Sequence, residues 1–255
     1  MTTAQRVIVA GAGPVGLLTA LALASQDIPV TVLESEPGLT HDLRAGTYHP
    51  PSLEIMAPYG VTDEMHRKAI KVPRWQMRDR NQGVIVEWDL SEIADLTPYP
   101  YRLHFEQHKL TPLLLARLKP FAHARVLFSH TVTEVEQDAQ RVTVKARTPD
   151  GDLQTFQADW LVGADGGKSA VRRCIGAELE GFTWPERFVV IGTGVDLAAK
   201  GYAYNAYVAD PEEWCALFKM PGEGPPGFWR VLFPVPPEEP DDAALSPESV
   251  ERRMQ

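Results

Sequence analysis

Three glycines and one glutamate near the start of the chain have the residue types and spacing that hold a dinucleotide. Gly11, Gly13 and Gly16 spell GxGxxG, and Glu34 lies eighteen residues after the last of them. Glycine at these positions permits a tight turn, a close approach of the backbone to a pyrophosphate, and close packing of a helix on a strand. A carboxylate at the later position can accept both hydroxyls of an adenosine ribose. The spacing predicts binding of FAD or NAD, and the alternative is a glycine-rich turn that binds nothing.

The sequence around these residues predicts the βαβ unit that must position them. Residues 6–10 and 29–33 have the β-branched, apolar composition of buried parallel strands, and residues 17–24 have that of an apolar helix. The loop residues Pro14 and Val15 precede this helix, whose free N–H groups would point at the phosphates. Strand, loop, helix, strand and acid therefore follow one another in the order that the motif requires.

A second stretch, around Asp165, predicts another residue at the same edge of the sheet. Residues 159–164 are strand-like, and Ser169 can cap a helix over residues 170–175. Ligands on open α/β sheets gather at the carboxyl ends of strands, where both Asp165 and Glu34 are expected. The alternative is a turn aspartate that binds backbone N–H groups.

Composition restricts the classes of function. The chain has 255 residues and a net charge of −9, which argues against nucleic acid as a partner. Cys174 and Cys215 are the only cysteines and form no CxxC, so neither a disulfide framework nor a zinc site is expected, and a reducing cytoplasm fits best. His104 and His108 are four apart, but Glu106 is misplaced for HExxH, so we expect no metal. We predict no signal peptide and no membrane helix.

The remaining pattern predicts further strands and one long helix. Residues 74–80 and 84–90 flank a glycine turn and predict a hairpin, and residues 107–118 predict a helix. Residues 124–161 predict an antiparallel meander that leads into the main sheet, which then has three parallel strands. Four later segments have antiparallel character: 188–195, 203–208, 214–220 and 228–235.

Four segments together resemble the single-component flavoprotein aromatic hydroxylases with the p-hydroxybenzoate hydroxylase fold. They are GAGPVG with Glu34, LRAG around Arg44, FEQHKL around Gln107, and LVGADGGKSAVR around Asp165. The resemblance covers the chain from end to end. It implies an α/β fold in which a Rossmann-like FAD/NAD(P)-binding domain (1–72 and 100–180) carries a mixed or antiparallel-sheet substrate domain (73–99 and 181–255).

The resemblance also implies roles for individual residues. The glycine loop and Glu34 would bind the ADP half of FAD, whereas Arg44 and Gln107 would contact its pyrophosphate and ribityl region. Asp165 would serve both FAD and the transient NAD(P)H. The alternative for Arg44 is a solvated surface arginine. The full set of predicted cofactor-binding residues is Gly11, Gly13, Pro14, Val15, Gly16, Glu34, Ser35, Arg44, Gln107 and Asp165.

By the same resemblance, the activity would be hydroxylation of a small phenolic ring by O₂ and NAD(P)H through a flavin C4a-hydroperoxide. The cofactor carries this chemistry, so no catalytic residue is assigned. Tyr204, Trp214 and Trp229 are candidate substrate contacts, although core packing explains them equally well. One alternative is a flavin-dependent halogenase or reductase, but GFTWPERF does not match the halogenase motif WxWxIP. The other is a non-catalytic FAD-binding subunit that needs a complementary chain.

One segment of the family is not found in the sequence. It is a GD dipeptide before a helix that faces the flavin, so we expect the substrate domain to be incomplete at its C-terminal end. Ser246 and Pro247 start a helix well, but a helix as short as 247–255 is marginal unless something packs on it. We therefore expect these 255 residues alone to hold FAD weakly, and a homo-oligomer or a complementary C-terminal chain as a possible partner.

Overall fold

The computed structural model describes residues 6–41 and 44–254, which form sixteen strands and seven α-helices. The strands are β1 (Val7–Ala10), β2 (Val30–Leu33), β3 (Thr47–Tyr48), β4 (Ile70–Val72), β5 (Arg74–Asp79), β6 (Gly83–Asp89), β7 (Arg102–His104), β8 (Ala124–Leu127), β9 (Thr131–Gln137), β10 (Val142–Arg147), β11 (Leu153–Ala158), β12 (Trp160–Gly163), β13 (Arg187–Thr193), β14 (Asn205–Ala209), β15 (Cys215–Met220) and β16 (Phe228–Val235). The helices are α1 (Pro14–Ala24), α2 (Pro50–Met56), α3 (Val61–His66), α4 (Gln107–Leu118), α5 (Ala170–Cys174), α6 (Asp241–Ala244) and α7 (Pro247–Met254).

The chain divides into two compact units. The first contains Met1–Ala45, Pro58–Val61 and Gln107–Glu180, and the second contains Gly46–Ala57, Thr62–Glu106 and Gly181–Gln255. The predicted domain boundaries differ from this division, since residues 46–57, 62–72 and 100–106 group with the second unit. The reason is local pairing, because β3, β7 and β4 form a small antiparallel sheet of their own.

A four-stranded parallel sheet of order β12–β1–β2–β8 is the centre of the first unit. All residues of β1 are buried, which explains its continuous apolar run. Val7 pairs with Val30 on one side and with Trp160 on the other, so the carboxyl ends of these strands lie at one edge of the sheet. That edge is where the predicted binding residues must meet.

The sequence-based prediction of three parallel strands is wrong, because β8 is the fourth. It pairs in parallel with β2, whereas we predicted that these residues belong to the antiparallel meander. A run of four residues carries no signal for its partner or its direction, and only tertiary pairing decides both. The meander itself consists of β9, β10 and β11 in the order β11–β10–β9.

Local signals in the sequence set the helix ends of the first unit. Helix α1 begins at Pro14, earlier than predicted, because proline is favoured at the first helical position. Helix α4 has the predicted bounds. The predicted cap of α5 is confirmed, since Ser169 Oγ accepts a hydrogen bond from the N–H of Arg172 at 2.9 Å.

The second unit contains a six-stranded sheet of order β13–β16–β15–β14–β5–β6. Its pairings are antiparallel except between β14 and β5. The predicted hairpin is confirmed, with Gly83 at a φ of +86° in its turn. One face of β16 supplies much of this unit's core through Trp229, Val231 and Phe233.

The last helix, α7, is attached by a buried arginine. The side chain of Arg253 is fully buried and donates to Glu213 at 2.8 Å, to Glu239 at 2.7 Å and to the carbonyl of Ala244 at 3.2 Å. The neighbouring Met254 packs against the core of the second unit. These contacts supply the packing that so short a helix requires. Among the described residues, no helix combines the length and apolar character needed to cross a membrane.

Candidate functional site

A small cavity in the first unit brings together five of the predicted cofactor-binding residues. It has a volume of about 80 Å³ and is lined by Gly13, Pro14, Glu34, Arg44 and Gln107. The other lining residues are Ala12, Gly38, Leu39, Thr40, His108 and Thr111. This volume is far below that of a typical ligand site, so the cavity marks only the part of a dinucleotide site nearest the glycine loop.

The three glycines of the motif differ in how much space a side chain would have. Gly11 has a φ of +99°, and a Cβ on it would lie 2.5 Å from the carbonyl oxygen of Ala164. A Cβ on Gly16 would overlap the carbonyl oxygen of Gly11. A Cβ on Gly13 would instead meet nothing within 4 Å. Packing therefore requires glycine at two positions, and the third leaves the backbone open for a ligand to approach.

Two helix N-termini meet at this cavity, because α1 begins with Pro14 and α4 begins with Gln107. The two helices also pack against each other. No side chain among the described residues caps α1, so its first N–H groups remain available to a ligand. Both positive helix ends, together with the guanidinium of Arg44, favour an anion in the cavity.

The carboxylate of Glu34 accepts a hydrogen bond from the backbone of the glycine loop. Its Oε2 accepts from the N–H of Ala12 at 2.5 Å, and its Oε1 accepts from the N–H of Glu36 at 2.9 Å. Ser35 Oγ donates to the same Oε1 at 3.1 Å. Ser35 therefore contacts the carboxylate of Glu34 and does not line the cavity. Val15, beside the glycine loop, is 67% exposed and does not line the cavity either.

The structure gives Asp165 the contacts of a helix cap. Its Oδ1 accepts from Ser169 Oγ at 2.5 Å, and its Oδ2 accepts from the N–H groups of Ala170 at 2.7 Å and Val171 at 3.1 Å. Burial tends to raise the pKa of Asp165, but these hydrogen bonds outweigh it and hold the pKa below its usual value. Its Cα lies against the glycine loop, while its carboxylate serves α5 and does not line the cavity.

The three aromatic residues predicted as substrate contacts do not form one surface. The rings of Tyr204 and Trp229 are 6.0 Å apart, and Trp229 is fully buried. Trp214 contacts Phe188 at 5.8 Å, and Phe188 pairs with Pro234 of β16. Positions 229 and 234 face opposite sides of that strand, so Trp214 lies on the other face of the sheet from Trp229.

Sequence reasoning missed two residues of the cavity wall, His108 and Thr111. We considered His108 only as a metal ligand, although it stands beside Gln107 in the first turn of α4. The spacing of three between His108 and Thr111 would have placed both on one helix face. No group of side chains suited to hold a metal ion occurs in the described part of the chain.

A larger cavity in the same unit does not include any of these residues. It has a volume of about 710 Å³ and is lined by the meander, β12 and α5. None of the predicted cofactor-binding residues lines it. We therefore centre the site on the glycine loop, where a backbone open at Gly13, two helix ends and a held carboxylate fit a dinucleotide.

Comparison with known proteins decides which dinucleotide this is. A family model described as the FAD binding domain matches residues 4–255. The chain belongs to this FAD-binding domain family. The prediction of FAD as the cofactor is thereby confirmed, and so is the predicted fold class.

The relatives that match are aromatic monooxygenases by name. Para-nitrophenol 4-monooxygenase of Pseudomonas sp. (strain WBC-3) is 34% identical over 254 residues, covering 100% of this chain and 60% of the relative. 6-Hydroxy-3-succinoylpyridine 3-monooxygenase HspB of Pseudomonas putida (strain DSM 28022 / S16) is 33% identical, covering 94% of this chain and 60% of the relative. The crystal structure of p-nitrophenol 4-monooxygenase PnpA from Pseudomonas putida DLL-E4 superposes with a TM-score of 0.86 at 33% identity, covering 100% of this chain and 62% of that one. This chain thus spans about three fifths of the length of these relatives.

Proposed function

We propose that the protein is an FAD-dependent monooxygenase that hydroxylates a small phenolic ring with NAD(P)H and O₂. The observation that carries this proposal is the identity of 34% with para-nitrophenol 4-monooxygenase along the whole of this chain. Such identity includes both units, and so extends beyond a shared cofactor-binding fold. The halogenase alternative lacks a comparable observation. The subunit alternative is included in the test below, because the chain spans about three fifths of the relatives' length.

In this proposal the first unit holds the cofactor. The open backbone at Gly13 and the N–H groups of α1 bind the diphosphate, and Glu34 accepts the ribose hydroxyls. Arg44 and Gln107 contact the diphosphate from the opposite wall. When bound, FAD supplies electron transfer from NAD(P)H to O₂ and delivery of one oxygen atom to the ring.

We infer the substrate class from the relatives. Their names describe a nitrophenol and a hydroxylated pyridine, and in both a hydroxyl group enriches the ring in electrons. An electron-rich ring suits attack by an electrophilic oxygen. We therefore expect a single ring that carries a hydroxyl group, and Tyr204 and Trp229 remain candidate contacts for it.

The test is oxygen transfer measured with labelled O₂. The purified protein is saturated with FAD and supplied with NADH or NADPH, ¹⁸O₂ and a panel of phenols and hydroxypyridines. Because the chain alone is expected to hold FAD weakly, we expect a visible flavin spectrum only at saturating FAD. We also expect substrate-stimulated NAD(P)H oxidation and a product that gains one ¹⁸O atom, in a smaller amount than the NAD(P)H consumed. Comparison of NADH with NADPH identifies the reductant.

Two outcomes would contradict the proposal in different ways. Failure to bind FAD would remove its basis altogether. Flavin binding and NAD(P)H oxidation that yield only hydrogen peroxide across the panel would remove the monooxygenase activity. Recovery of labelled product on adding a second chain would favour the subunit alternative.

A further inference from the structure

One residue of the cavity wall, His108, is not among the predicted cofactor-binding residues. His108 lines the cavity from the first turn of α4, beside Gln107. The ring of His41, in the loop after β2, lies 6.1 Å from it between centroids, with an angle of 46° between the planes. His41 thus lies near His108, but it is not among the residues that line the cavity.

The charges around His108 define what that wall can bind. Among the described residues, the carboxylates and guanidinium groups that line the cavity with His108 are those of Glu34 and Arg44. Glu34 lies at the end of β2 and its carboxylate is held by the N–H groups of Ala12 and Glu36. The cavity thus has a positive helix end on its α4 side and the guanidinium of Arg44 in its wall. In a chain with a net charge of −9, this local arrangement is what can attract a diphosphate.

We propose that His108 is a cofactor-binding residue that donates a hydrogen bond to the diphosphate of FAD. The inference rests on the proposed function, since it concerns the same cofactor. An imidazole N–H can donate such a bond. The positive end of α4 and the guanidinium of Arg44 in the same cavity favour the same anion, so loss of the donor should weaken FAD binding.

The experiment measures FAD dissociation constants of the apoprotein by flavin fluorescence at one fixed pH. The parent is compared with His108→Leu, which removes the donor, and with His108→Gln, which keeps one. We expect His108→Leu to bind FAD about tenfold more weakly than the parent, a factor equivalent to ~1.4 kcal/mol, and His108→Gln to recover most of that loss.

A matched control and two smaller ligands sharpen the result. His123 belongs to the same unit, is half-buried with its Nε2 3.1 Å from the carbonyl of Ala24, and does not line the cavity. His123→Leu should bind FAD as tightly as the parent. ADP should lose the same factor as FAD in His108→Leu, whereas adenosine, which has no phosphate, should lose nothing.

The outcomes separate this inference from the proposed function. If the parent binds FAD and His108→Leu matches it in affinity, the inference is wrong and the proposed function stands. An equal loss for adenosine would also overturn it, because the histidine would then contact the nucleoside. If the parent binds no FAD, the proposed function itself fails.

Discussion

Substitution of Asp165 tests whether its carboxylate serves the fold or the cofactor. The structure gives the carboxylate three donors, namely Ser169 Oγ and the N–H groups of Ala170 and Val171. All three belong to the start of α5, and none comes from the glycine loop. We therefore expect Asp165→Ala to destabilise the protein in the absence of FAD.

The contacts set the size of the effect. Loss of a side-chain cap costs about 0.5–2 kcal/mol, and a donor left without a partner adds about 1–3 kcal/mol where water cannot replace it. Because the site is only half-buried, we expect about 2–3 kcal/mol for Asp165→Ala and about half of that for Asp165→Asn, which keeps one acceptor. At this chain length the larger value lowers Tm by roughly 5–10 °C.

The assay is thermal unfolding of the apoprotein followed by circular dichroism, with FAD affinity measured separately. The pKa of Asp165 is lowered in the folded state, so its stabilisation is present above the ordinary aspartate pKa of about 3.9 and is lost as pH falls through the folded pKa. The difference between parent and variant should shrink accordingly in acid. Asp138→Asn, in an exposed turn of the same unit, is the control. An unchanged Tm with weakened FAD binding would refute the reasoning and assign the carboxylate to the cofactor.

Five further substitutions probe the rest of the molecule. Glu34→Gln should weaken FAD binding by about 1.5–3 kcal/mol in a titration, because a charged acceptor of the ribose is lost. Gly16→Ala should lower Tm because its Cβ has no room, whereas Gly13→Ala should leave Tm unchanged and weaken FAD binding. Arg253→Ala should cost about 3–5 kcal/mol in urea unfolding, because two half-buried carboxylates lose their partner. Burial lowers the pKa of His104 to about 4, so stability should fall as pH drops from about 6.5 towards that value, and His104→Gln should flatten this dependence.

Each of these expectations has its own control and contradicting result. Glu36→Gln should keep FAD affinity, since Glu36 contributes only its backbone N–H to the carboxylate. Equal Tm values for the two glycine variants would contradict the packing argument. Arg252→Ala, at an exposed ion pair beside the buried one, should cost about 1 kcal/mol or less, and an equal loss would contradict the role of burial. An unaltered pH slope in His104→Gln would mean that another group titrates.

Several features of the site could be predicted from the sequence because their signals are local. The glycine motif, the proline at the start of α1 and the serine before α5 each act within a few residues of themselves. The bounds of α4 follow from apolar spacing in the same way. Residues 6–34 therefore specify a nucleotide-binding βαβ unit with little help from the rest of the chain.

Other features required the tertiary structure because they depend on distant parts of the chain. Nothing in the sequence of residues 124–127 indicates that they form β8 and pair in parallel with β2. From the sequence, the carboxylate of Asp165 could accept hydrogen bonds within a turn or contact a ligand. The folded position of α5 decides between these, because the N–H groups of Ala170 and Val171 donate to the carboxylate.

The sequence by itself determined the strand, the glycine turn and the acid that predict a dinucleotide site at Gly11–Gly16 and Glu34, since short-range sterics and hydrogen bonding fix these features. Only the tertiary structure decided that the first turn of α4, with Gln107 and His108, forms the opposite wall. That wall exists because α4 packs against α1, and such packing depends on buried surfaces from remote segments, which no local pattern encodes.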